Sequence, residues 1–277
     1  MSLRSLLRNA YNTLAMKTLG TLLLVATLLG LHFGLKTVLK PALARGGMAT
    51  PVVHAAATQD GNNTTLTRNV GDFSSIRAEG PVEVRLTVGQ EAAVTLSGPS
   101  PYIQDVETEV RSGTLYIRYD GRMYDYGRNR SNDRDKLVVN VSMATVAFIE
   151  LRHACMLYGK ATIKGTDLRV DLSNASVADL TLDVQNLQVS NDRASVLKLS
   201  GTAKKFTCDM GGAAMLKAYD LHANEASVEM NGASMGSIYA EQWLSATVYG
   251  ASVLRYKGDA TIRKMQTSGG SVFSKAR

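Results

Sequence analysis

The sequence is poor in the residues that usually carry chemistry. Its 277 residues include 2 Cys, 4 His, 1 Trp and 5 Pro. So few cysteines exclude a dense disulfide framework and a four-thiolate metal site. His32, His54, His153 and His222 lack zinc-ligand spacing, and the first two precede the folded part. There is no Gly-Lys-Ser/Thr phosphate loop. No metal or cofactor is expected. After residue 58 no stretch carries a helical hydrophobic period, so an all-β chain is expected.

Acidic residues are missing from one region altogether. The net charge is +7, yet residues 1–57 hold six bases and no acid, which leaves 25 bases against 24 acids in the remainder. The basic character belongs to the amino-terminal segment, and nucleic acid is not an expected partner. Arg4, Arg8 and Lys17 precede an apolar run of 17 residues, Leu19 to Leu35, followed by Lys36. This order is that of an export signal or signal anchor over residues 1–44. Ala42-Leu43-Ala44 offers a small-x-small cleavage site, and Met16 before the run is an alternative start to Met1. No Cys stands at the end of the run for lipid attachment. Residues 45–67 read as a flexible tether, and the expected location is the periplasm, cell envelope or cell surface. Membrane contact is expected through the amino-terminal segment only.

What the chain has in abundance is one short corner. It reads His153-Ala154-Cys155, Asn174-Ala175-Ser176, Arg193-Ala194-Ser195, Gly212-Ala213-Ala214, Gly232-Ala233-Ser234, Gly250-Ala251-Ser252 and Gly269-Gly270-Ser271. With the third member as the mark, the steps are 21, 19, 19, 20, 18 and 19 residues, a solenoid period. Apolar residues lead six and four positions before most marks, as in Val170 and Leu172 or Val228 and Met230. Polar residues occupy the position between them: Glu150, Asp171, Ser190, Asp209, Glu229, Thr247 and Gln266. That alternation has the period of a strand. The position after the mark is apolar in all seven rows (Met156, Val177, Val196, Met215, Met235, Val253, Val272) and is taken as inward. The second corner member, Ala in six rows, is taken as the site inside the bend with no room for more. Further bends are expected at Val184-Gln185-Asn186, Gly201-Thr202-Ala203, Ala240-Glu241-Gln242 and Gly258-Asp259-Ala260. Strand, corner and strand, stacked at about 4.8 Å, predict a right-handed parallel β-helix over residues 68–277, less regular in 68–145 and clearly repetitive in 146–277.

This pattern resembles the putative auto-transporter adhesin family, whose module is the head GIN domain. The resemblance rests on Arg68-Asn69-Val70-Gly71-Asp72-Phe73-Ser74-Ser75-Ile76, on Gly80-Pro81-Val82-Glu83-Val84-Arg85-Leu86, on Gly113-Thr114-Leu115-Tyr116-Ile117 and on the Gly-Ala-Ser corners. It covers the chain from about Arg68 onward. It implies the β-helix and an expectation of adhesion or surface scaffolding rather than catalysis. A polysaccharide-acting enzyme and an envelope component binding its own kind are the alternatives.

Candidate residues are few. In the outward column Glu150 and Asp171 are neighbours, as are Asp209 and Glu229, and adjacent carboxylates could bind Ca²⁺ or share acid and base roles. No Lys or Arg is expected in a fixed row beside them, so no catalytic residue is assigned. The hydrophilic insert from Asp120 to Asp135 is expected to be an exposed loop. Tyr119, Arg122, Tyr124, Tyr126, Arg128 and Arg130 supply rings and guanidinium groups suited to a surface glycan or protein ligand, the alternative being a solvated hairpin tip. Cys155 and Cys208 lie three coils apart, roughly 14 Å, beyond the disulfide limit of about 7 Å. Both are expected to be buried free thiols, and the repeated serines to be corner hydroxyls bonding local backbone. Homo-oligomerisation stays open.

Overall fold

Strict alternation of apolar and polar residues, with branched side chains at the apolar positions, makes strands of nearly every segment between turns. The computed structural model describes residues 54–60, 63–121 and 136–277. The export segment, its apolar run 19–35 and the cleavage site Ala42-Leu43-Ala44 lie outside the described residues, as do Arg122, Tyr124, Tyr126, Arg128 and Arg130. Among the described residues no helix is long and apolar enough to cross a membrane.

The strands of the irregular part are β1 (His54–Asp60), β2 (Asn63–Arg68), β3 (Ser75–Glu79), β4 (Glu83–Val88), β5 (Ala93–Pro99), β6 (Val106–Arg111), β7 (Thr114–Tyr119) and β8 (Val138–Met143), with one short helix, α1 (Ser100–Ile103), after β5. The repetitive part begins with β9 (Phe148–Arg152), β10 (Met156–Gly159) and β11 (Ile163–Leu172). It continues with the long strands β12 (Val177–Asn191), β13 (Val196–Met210), β14 (Met215–Met230) and β15 (Met235–Val248), and closes with β16 (Val253–Lys257), β17 (Thr261–Thr267) and β18 (Val272–Lys275). All eighteen belong to one sheet, and fourteen of them are wound into stacked parallel coils. The expected β-helix is therefore present, and its register follows the repeat: Val170, Val189, Cys208, Val228 and Ala246 are successive partners, all at most 2% exposed.

The corners differ from expectation in which member is inside. The Ala at the second position of each corner is exposed, whereas the marks Cys155, Ser176, Ser195, Ser234 and Ser252 are 0% exposed and Ala214 1%. The turn consumes the first two members, so the mark is the first residue to point inward, into the narrow edge where the two inner faces meet. Only a small side chain fits there, and Ser176 and Ser234 donate their buried hydroxyls to the carbonyls of Ser173 and Asn231 at 2.8 and 2.7 Å. Counting on from the mark, the following residue points outward. The apolar column Met156 to Val272 therefore lies on the outer surface, half-buried, with Met235 50% and Val272 45% exposed.

Corner type changes along the stack. In the first three rows both turn residues are left-handed, as in His153 and Ala154 (φ 57 and 63), and in the later rows only the glycine is. The corner hydrogen bonds reverse with it. Ala154 N–H and Ala175 N–H donate to the following coil, at Asn174 O and Arg193 O, while Ala233 N–H and Ala251 N–H donate to the preceding one, at Gly212 O and Gly232 O.

The second bend is not a break. Strands β12 to β15 run through it, and in three of them it appears as two consecutive exposed residues, Gln185-Asn186 and Lys204-Lys205 between buried neighbours and Glu241-Gln242 between buried Ala240 and half-buried Trp243. Gly201-Thr202-Ala203 is thus not the bend. Gly201 (φ +100) instead presses on the coil below, where an added Cβ would stand 2.0 Å from Leu182 O.

Stacking order departs from chain order at the amino-terminal end. Strands β3 and β4 pair in parallel with β7 and β8 on one side and with β9 and β10 on the other. The first coil made is therefore the second in the stack. Beyond β7 and β8 the stack is closed by antiparallel strands, β6 on β7, then β5, β2 and β1 in turn on β8, so residues 54–60 and 63–67 of the expected tether are instead strands of the sheet.

Candidate functional site

The outer faces of β6, β7, β3, β9 and β11 lie side by side, and register decides what meets on them. Arg77 is the partner of both Tyr116 and Glu150, and Glu79 of both Arg118 and Arg152. Outward positions two residues apart in three strands thus form a charged lattice. It surrounds a cleft of about 270 Å³ lined by four arginines (Arg77, Arg111, Arg118, Arg152), four glutamates (Glu79, Glu107, Glu109, Glu150) and Tyr116.

Each arginine in the cleft has a carboxylate partner. Glu150, only 8% exposed, is gripped by Arg77 at 3.0 Å and by Arg152. Arg118 meets Glu107 at 2.7 Å, Arg111 meets Glu109, and His153 Nδ1 lies 3.1 Å from Glu79. Hydrogen bonds to these carboxylates hold the Arg111 and Arg118 guanidiniums above their ordinary range. Guanidinium groups and rings also alternate across the strands. Arg111 and Arg77 flank the Tyr116 ring at 5.9 and 5.8 Å, and Arg77 and Arg169 flank Phe148 at 5.4 and 5.8 Å.

The carboxylate pair is where expected but not as expected. Glu150 and Asp171 are register partners, yet arginines do accompany them, for Arg169 holds Asp171 at 2.9 Å. Arginine reaches them from β3 and from alternate positions of their own strands, which the repeat columns do not reveal. Carboxylate oxygens already shared among guanidiniums are poorly placed to ligate Ca²⁺ or act as a base. Among the described residues no group of three or more His, Cys, Asp and Glu is arranged for a metal.

The corner Gly232-Ala233-Ser234-Met235-Gly236 spells the Gly-x-Ser-x-Gly pattern of a nucleophile elbow. The structure gives it a different role. Ser234 points into the core, 0% exposed, and its hydroxyl is engaged by Asn231 O. Cys155 and Cys208 are free, fully buried thiols, and burial pushes both well above the ordinary range.

The insert occupies the corner between β7 and β8, where other coils have a two-residue turn. It leaves from the rim of the cleft, since Arg118 lines the cleft and Asp120 follows two residues later. Of the proposed contact residues Tyr119 alone is described. It is 8% exposed and faces inward from the last position of β7, which leaves its ring little surface for a ligand. The cleft residues Arg77, Glu79, Arg111, Tyr116, Arg118 and Arg152 were not singled out in the sequence. The signal for them was charge at alternate positions, Arg77/Glu79 in β3 and Glu150/Arg152 in β9.

Residues 72–260 match the family described as putative auto-transporter adhesin, head GIN domain. No curated protein matches the chain. Among solved structures, the chain is similar to a putative adhesin from Bacteroides fragilis, with TM-score 0.70 and 19% identity over 78% of this chain and 98% of that one. It is also similar to a putative lipid binding protein from Parabacteroides distasonis, with TM-score 0.59 and 18% identity over 79% and 98% of the two chains. A putative adhesin from Parabacteroides merdae aligns with TM-score 0.58 and 15% identity over 79% and 98%. At these identities the likeness is one of fold.

Proposed function

Because the chain belongs to the putative auto-transporter adhesin, head GIN domain family, we propose that it is an exported, non-enzymatic β-solenoid of the cell envelope that works by surface contact. The apolar run 19–35, preceded by Arg4, Arg8 and Lys17 and lying ahead of the strands that begin with β1, supports export and display. The placement of the insert carries the reading. The hydrophilic insert 120–135, with Tyr124, Tyr126, Arg128 and Arg130 in its sequence, joins β7 to β8 where other coils have a tight corner, and it begins two residues after Arg118 of the charged cleft. A rigid stack that elaborates one corner is a scaffold presenting a loop. Neutralisation of Glu150 by two arginines supports contact rather than acid–base chemistry.

The test is excision of residues 120–135 with a two-residue turn in their place. The urea midpoint is expected to stay near that of the parent, because neighbouring coils close with turns of that length, while binding to whole cells or glycan arrays is lost. Binding that survives excision with the fold intact would remove the loop from the proposal.

A further inference from the structure

A second surface follows from the outward apolar column. On a sheet face turned to water the outward positions are normally polar, as they are on the opposite outer face, where Glu150 to Gln266 occupy the equivalent column. On this face one apolar residue stands on each of seven successive rungs, in unbroken register from Met156 to Val272. The line is about 29 Å long at the rung spacing.

The flank that follows it along the strands is basic. The next outward positions hold Lys198, Lys217 and Arg255, and those beyond them Lys160 and Lys257. The acids on the same stretch are Asp179, which Lys198 occupies at 3.0 Å, and Asp220. Lys160, Lys217 and Arg255 form no ion pair with another described residue. Tyr158, Tyr219 and Tyr239 lie on the same outer surface, and Tyr158 is 38% exposed.

We propose that this face docks on an anionic lipid bilayer, with the Met and Val column at the boundary between acyl chains and headgroups and the lysines and arginine on lipid phosphates. The apolar column and its cations together match that surface. A second copy fits less well. Seven half-buried side chains offer far less than the roughly 800 Å² per partner that a stable interface buries, and face-to-face pairing would oppose cations to cations. A bilayer needs no shape match, only a flat face.

The native thiols are buried, so M235C takes a polarity-sensitive fluorophore selectively in the full chain. E229C, on the opposite outer face, is the control. The full chain is reconstituted in phosphatidylcholine vesicles with or without phosphatidylglycerol. A blue shift and quenching by brominated acyl chains are expected at position 235 only with phosphatidylglycerol, and K217Q/R255Q should abolish both with an unchanged urea midpoint. The proposal is overturned if position 235 does not respond, if position 229 responds equally, or if the response survives in K217Q/R255Q. A response that depends on protein concentration without lipid would assign the face to self-association, and one elicited by soluble acidic polysaccharide would assign it to a glycan; either also overturns it. Excision of the insert should leave the shift intact, which separates this face from the contact loop.

Discussion

At Gly232 an added Cβ would meet the Gly212 carbonyl oxygen at 2.5 Å, and at Gly250 it would meet Gly232 O at the same distance. The glycine is needed both for its left-handed φ and for the approach of one corner to the next. Gly232→Ala is therefore expected to cost at least about 2 kcal/mol. Ala233→Leu, next to it but pointing to solvent, should stay within about 0.5 kcal/mol. Urea midpoints of the two variants check the pair, and equal losses would contradict the assignment of the corner. Small residues at the corners were legible in the sequence; which one faced inward was not, because composition alone does not say how many residues the turn consumes. The thiols add a pH dependence. Their folded values lie above the unfolded one, so the folded state keeps protons that the unfolded chain releases. Stability is then unaffected below the unfolded pKa of about 8.5 and falls above it, by about 1.4 kcal/mol per pH unit for each thiol. Urea titrations at pH 8 to 10 should show this slope, and Cys155→Ala with Cys208→Ala should remove it.

At the scale of the strand, one coil is the unit of exchange. Deleting Ser195 through Ala213 removes one full period and joins Ala194 to Ala214, which keeps the Arg193-Ala194 turn and a small residue at the mark, so inward residues stay inward. The shortened chain is expected to unfold cooperatively with a smaller urea m value, in proportion to the surface lost. Removing only the first half of that segment should abolish the cooperative transition, because a strand half of one phase is joined to one of another. The period was readable because six of the seven marks carry Ser or Ala and none carries a large side chain. The second bend was harder to place. The exposed pairs Gln185-Asn186 and Glu241-Gln242 fall inside bends the sequence had marked, whereas in the coil between them Gly201 drew the bend to Gly201-Thr202-Ala203 and the chain turns instead at Lys204-Lys205. Similarly, the cleft was hidden because its strands, β6, β7 and β3, are adjacent in space but not in the order of the repeat.

For the whole molecule, the interleaving of the first coils makes its two ends unequal. Truncation after Lys257 removes β17 and β18, the outermost rungs, and should leave a folded solenoid with a lowered midpoint. Deleting Ser75 through Val88 takes out a coil held on both sides and should leave no cooperative transition, as circular dichroism in urea would show. The same interleaving has a consequence in time. As the chain is synthesised, β3 and β4 exist first but have no parallel neighbour until β7 and β8 follow, some thirty residues later in the case of β7. The nucleus of the solenoid must therefore wait for a return of the chain, and this wait is the entropically expensive closure. Once β9 and β10 have settled on the other side of β3 and β4, every later coil adds to a finished template after a loop of constant length. Assembly then proceeds as a zipper with one direction of travel, slow to start and quick to finish.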